Sequence, residues 1–285
     1  MPRSLVSIAF AGLLFFPALS VNSLAGQAGP ATSVAVSGPT YADLADLADR
    51  APLVARVEPR DVVRLKPEQA PNLRPGMARI FVKAKTRAVL VGEALGESVG
   101  YLADVPLTAK GKLPKLEKRQ VLVFARAVPG RPGELQLVAP DAQLAWDPVL
   151  EGRVTAILTE LLAPGAPPRI TGVREVSFVP GNLVGEGETQ IFLSTQAGDP
   201  ISISVVRRPG QAPTWGVAFG EIVDQAARPP ARDTLAWYRL ACFLPSSLSS
   251  ATMLTGDGEA RRAAAEDYRW VRSQLGACPR SGRTG

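Results

Sequence analysis

Hydrophobic positions change their period several times along this chain, and each change marks a boundary. Residues 40–50 repeat at helical spacing: Thr40-x-x-Asp43 has the form of a capping box, and the triplets ADL, ADL, ADR group Leu44, Leu47 and Ala48 with the acids pointing outward. Pro52 ends the pattern, and alternation replaces it. The clearest stretch is Ala78 to Val91, where Ile80, Val82, Ala84, Thr86, Ala88 and Leu90 share one face. Arg79, Lys83, Lys85 and Arg87 share the other with Phe81, which predicts a long strand with one buried side. Leu53 to Leu65, Ser98 to Val105, Arg119 to Val128 and Glu134 to Ala139 are four more strands, the last two joined by the turn cluster Pro129-Gly130-Arg131-Pro132-Gly133.

Five such strands predict a small closed barrel, and an OB-like barrel is the preferred version. A five-stranded sheet covered by helices is the alternative, because Pro106 to Lys118, with Gly111 and Pro114, leaves no room for a helix between the third and fourth strands. Glu151 to Leu162 then returns to helical spacing, with Val154, Ile157, Leu158, Leu161 and Leu162 on one side. Ala-Pro-Gly-Ala-Pro-Pro at 163–168 is the best boundary in the chain.

Beyond it, Arg169 to Val179, Glu188 to Gln196, Ile201 to Arg208 and Thr214 to Asp224 alternate again around turns at 197–200 and 209–213, as an antiparallel meander does. Two helices close the pattern. One is capped by Asp233 and runs to Leu244; the other runs from Gly258 to Ala277 with Ala264, Tyr268, Val271, Leu275 and Cys278 on its apolar stripe. The expected class is therefore α+β and β-rich: an N-terminal five-stranded, OB-like barrel, then a small antiparallel meander with two disulfide-linked helices. In domain terms, residues 40–163 form a barrel-like domain with flanking helices, 169–279 an α+β domain, and 280–285 a tail.

The first 25 residues read differently. Arg3 precedes an apolar run, Leu5 to Leu19, too short for the roughly 30 Å of a bilayer core, and Ser23-Leu24-Ala25 offers small residues where a signal peptide is cut. An uncleaved anchor is the alternative, which Pro17 opposes. Residues 26–39, small and rich in Gly and Pro, then make a flexible lead-in. The expected location is periplasmic or secreted. With the leader cleaved, no other segment reaches about 18 apolar residues, so an integral membrane protein is not expected.

An oxidising location gives the two cysteines a role. Cys242 and Cys278, both expected on buried helix faces, form a structural disulfide rather than a redox pair, worth roughly 4 kcal/mol in the chain-entropy model.

Composition changes the functional picture mainly by subtraction. The chain has 0 histidines, which removes Ser-His-Asp and Cys-His catalysis, HExxH proteases and His-held zinc or haem. Gly111-Lys112 is followed by Leu113, so no phosphate-binding loop forms there. The net charge of +6 is spread evenly and aromatics are 6% of residues, unlike a nucleic-acid binder with its one-sided basic stripe. No cofactor and no metal site are expected.

Three clusters remain. Lys110, Lys112, Lys115, Lys118 and Arg119 form a basic loop that suits an anion or acidic polymer, or else a solvated connection guarding the next strand. Arg79, Lys83, Lys85 and Arg87 make a basic strand face, which also reads as the wet side of a half-buried strand. Glu186 and Glu188, at i and i+2, would project from one strand face about 7 Å apart, near the carboxylate spacing of an inverting glycosidase, although flanking glycines suggest a loop. With Asp199 they also suit calcium, but lack a dense ligand loop.

The expectation is a non-enzymatic envelope protein with a binding or assembly role, its partner an envelope protein or an anionic envelope polymer. A histidine-free, carboxylate-dependent hydrolase of an envelope polymer and a structural envelope component are the alternatives.

Overall fold

The computed structural model describes residues 38–220, 227–252 and 256–281. The expected signal peptide (1–25), residues 26–37 of the lead-in, the end of the last strand (221–224) and the final four residues of the tail lie outside them.

Helix α1 (Tyr41–Arg50) starts on the expected capping box, with the Thr40 side chain accepting from Asp43 N at 3.1 Å and Thr40 N donating to Asp43 Oδ2 at 2.9 Å. Its acids do not point outward. Asp43 is buried, while Asp46 and Asp49 are drawn inward by Tyr238 and Arg239, because the helix lies between neighbours on more than one side.

Strands β1 (Leu53–Arg64), β2 (Met77–Val91), β3 (Ser98–Pro106), β4 (Val121–Ala127) and β5 (Glu134–Leu137) pair in the order β1-β2-β3-β5-β4. β4 then returns to β1, from Leu53↔Ala125 to Val57↔Val121, so the sheet closes into a five-stranded barrel. That pairing rules out the open, helix-covered sheet. The sequence of β1 explains how it serves two partners: β4 is bound along its first half only, and Pro59, which has no N–H to give, sits beyond the last β4 pair. β3 and β5 are parallel, with Gly100↔Glu134 and Tyr101↔Leu135. A three-residue strand, β6 (Gln143–Ala145), hangs on the other side of β4; it is too short to show a period in sequence.

Ala78, Ile80, Val82 and Ala84 of β2 and Val99, Tyr101, Ala103 and Val105 of β3 point into the barrel. In β4 residues 121–125 are all buried, so this strand is covered on both faces. Helix α2 (Pro148–Leu162) begins three residues earlier than the apolar spacing suggests, because Asp147 caps Leu150 N at 2.9 Å and Pro148 suits the first helical position.

The second sheet is the expected meander: β7 (Ile170–Pro180), β8 (Gly187–Thr195), β9 (Ile201–Arg207) and β10 (Thr214–Phe219), in the order β10-β9-β8-β7. Helix α3 (Leu235–Phe243) is capped by Thr234 rather than Asp233, whose own φ is 58°. Helix α4 (Gly258–Leu275) packs on β7 and β8 and stops where Gly276 takes a φ of 72°. That early stop corrects the expected placing of both sulfurs on buried helix faces. Cys242 is a partly exposed α3 residue, and Cys278 lies beyond the end of α4. The pair still forms a disulfide, with Cα atoms 5.1 Å apart, as an oxidising, non-cytoplasmic compartment favours. No helix among the described residues is long and apolar enough to cross a membrane. One contiguous core joins the barrel, helices and meander across residues 163–168.

Candidate functional site

The outer face of a barrel strand normally carries polar side chains, yet here an apolar row crosses three strands. Register brings Val63 of β1, Phe81 of β2 and Leu102 of β3 side by side. Val63 is 51% exposed and Leu102 48% exposed. Phe81 is held over Gly100, where an added Cβ would stand 3.1 Å from the ring, so the missing side chain at 100 is what lets the ring lie across β3.

The row leads into a groove of about 800 Å³ between β2, β3, β5 and the 128–133 turn. Phe81, Leu102, Val128 and Val138 give it apolar walls, and Arg79, Arg126 and Arg131 give it cations. Of these, Arg79 makes two hydrogen bonds to Asp104 at 2.7 and 2.9 Å, and Arg131 lies 3.1 Å from Glu134. Arg126 and Lys83, the latter two residues beyond Phe81 on β2, are exposed, and neither forms an ion pair among the described residues.

The basic strand face is thus largely neutralised. Besides the Arg79 pair, Lys85 lies 2.9 Å from Glu97 and Arg87 is bonded to Glu58, whose carboxyl Arg87, then Arg60 and Lys85, hold below its ordinary range. Lys83 alone of the four is left for a partner. All five residues of the basic loop are exposed, and Lys115 and Arg119 face a second groove at the β6 end of the barrel.

Glu186 and Glu188 are not presented together as free carboxylates. Glu186 precedes β8 and turns back to accept from Asn182 N and Leu183 N at 3.0 and 3.3 Å. Glu188, on β8, is bonded by the Gln190 amide. A different acidic cleft, of about 330 Å³, gathers Asp43, Asp46, Asp49 and Asp141 beside Tyr238 and Phe243. Each carboxylate there already has a task. Asp43 holds Thr40 and Ser281, Asp46 takes Tyr238 and Arg280, Asp49 takes Arg239 and Arg169, and Asp141 faces Arg74 at 3.7 Å. Burial pushes Asp43 and Asp49 up, but the hydrogen bonds from Ser281 and Thr40, and from Arg239 and Arg169, outweigh it and leave both below the ordinary carboxylate range.

Among the described residues no group of acids, cysteines or histidines has the arrangement of a metal site. Sequence reasoning missed Val63, Leu102 and Arg126. Its one available signal was Phe81, an aromatic ring on a face of cations. No family model matches the chain, and no curated protein does.

Proposed function

We propose that this chain is an exported, non-enzymatic binding protein of the cell envelope, periplasmic or secreted, and that its barrel is of OB type and takes an extended anionic envelope polymer across β2 and β3. The apolar row Val63, Phe81, Leu102 running into the 800 Å³ groove is the observation that carries this reading. Barrels of the OB class bind oligosaccharides and oligonucleotides on the face of their second and third strands and on the first–second and fourth–fifth strand loops; the groove uses that face and the second of those loops. Apolar walls with Arg126 among them, and Lys83 two residues beyond Phe81 on β2, suit a sugar ring that carries a carboxylate. The lack of a one-sided basic stripe argues against nucleic acid.

Hydrolysis is less well supported. A glycosidase acid needs a raised pKa, whereas Asp43 and Asp49 are lowered and Glu186 and Glu188 are engaged locally. A structural role has one observation in its favour, the β7–β8 hairpin tip, where Val179, Leu183 and Val184 are exposed.

Calorimetric titration of the disulfide-bonded chain with a polyuronate oligosaccharide tests the proposal. Binding should weaken about tenfold in Phe81→Ala and in Arg126→Ala, a step of about 1.4 kcal/mol each, with thermal midpoints held. Absence of binding, or turnover of the oligosaccharide, would overturn it.

A further inference from the structure

We infer a second ligand site, independent of the β2–β3 groove, that takes a single-chain anionic amphiphile, an alkyl body with a carboxylate head. It lies at the β6 end of the barrel, where the 107–120 connection, β6 and the first turns of α2 enclose a groove of about 910 Å³, near the upper end of the roughly 300–1,000 Å³ that ligand clefts occupy.

Two features define the ligand. The first is the floor. Val105, Pro106, Leu144 and Val149 line the groove; Val105 and Leu144 are themselves nearly buried, while Pro106 and Val149, on the first turn of α2 and 74% exposed, present apolar surface to solvent. The second is unequal charge. Lys115, Arg119 and Arg153 face the groove without a carboxylate partner among the described residues; Arg153 donates only to the Pro39 carbonyl, at 3.1 Å. Acids are present too, but they are spent. Asp104 is held twice by Arg79, Asp141 faces Arg74, and Asp147 caps α2.

Cations with no carboxylate partner among the described residues, beside the exposed Pro106 and Val149, suit a molecule with one anionic end and one greasy body. Either half alone would use half of the groove. Two of the three cations come from the basic loop read in the sequence, which pairs them with a floor from β3, β6 and α2 that no local pattern links to it.

The test is calorimetric titration of the disulfide-bonded chain with dodecanoate below its micelle concentration. Dodecyl maltoside supplies the same alkyl chain with a neutral head, and inorganic phosphate an anion with no body. Dodecanoate should bind with a stoichiometry of about one and at least about tenfold more tightly than either comparator. The triple variant Lys115→Ala, Arg119→Ala, Arg153→Ala should lose about tenfold or more, and Lys115→Glu alone should weaken binding measurably while keeping the wild-type thermal midpoint. Arg126→Ala, in the other groove, should change nothing, which separates this site from the proposed polymer site.

No dodecanoate binding, equal binding of dodecyl maltoside or of phosphate, or an unaffected triple variant would each overturn the assignment.

Discussion

In the barrel, strands β1 to β5 each have a neighbour on both sides, because β4 returns to β1. In the meander, β7 and β10 have one each among the described residues. An open sheet leaves unpaired main-chain groups at its margins and one apolar face uncovered, and this one is completed by other means. Helix α4 packs on β7 and β8, the main chain at Ala227 closes over Gly216 of β10, and Asp267 of α4, fully buried, takes Thr189 at 2.5 Å and Arg207 at 2.8 Å. The contrast shows where surface is left for recognition. A sheet closed by its own hydrogen bonds can leave its outside bare, whereas a sheet closed by helices has given that face away.

The largest expected effect would break the comparison at the disulfide. Cys242→Ser with Cys278→Ser should cost about 4 kcal/mol in denaturant unfolding, and hydrogen exchange should rise first in α3, α4 and residues 276–281 while the β1–β4 amides stay protected. Uniform loss of protection would show that the barrel has no independence from the meander. Next comes the buried ion pair. Arg207→Ala leaves Asp267 charged and unpaired, and should fall toward the lower end of about 3–5 kcal/mol because Arg207 keeps some contact with water; Asp267→Asn combined with Arg207→Ala should recover part of that loss.

The smallest effect sharpens the picture by pH. Asp43 and Asp49 lie below their ordinary values in the folded chain. Their stabilisation is therefore complete above the unfolded carboxylate pKa of about 3.9 and is lost as pH falls through the folded values. The midpoint in urea should be flat between about pH 5 and 7 and fall below about pH 4. Asp49→Asn should flatten that fall.

What could be read in the sequence divides by the range of the forces involved. The Thr40 capping box and the Pro-Gly turn at 129–133 are local and stand as expected, and the alternation of β2 holds from Ala78 to Ala84 but fades beyond it, where Thr86, Ala88 and Leu90 are only half-buried. Barrel closure follows from β1 pairing with a strand some seventy residues on, and strand count alone suggested it. The apolar row was hidden for a related reason: Val63, Phe81 and Leu102 each look like an isolated exception in its own strand, and only register makes them neighbours. Glu186 lies outside β8 because its loop turns locally: Gly185 takes a φ of 83° and Gly181 leaves room for the Glu186 side chain to fold back over it.

Residues 40–43 and 279–281, far apart in sequence, are bonded directly to one another. The Thr40 hydroxyl lies 2.9 Å from the Pro279 carbonyl oxygen, Ser281 N donates to Asp43 at 3.1 Å, and Arg280 donates to Ala42 O at 2.9 Å. The two segments share a single doorway. In a chain trimmed to residues 38–281, a short peptide linking the two ends would turn the backbone into a ring, which could then be reopened at the Pro-rich connector 163–168 without disturbing either groove.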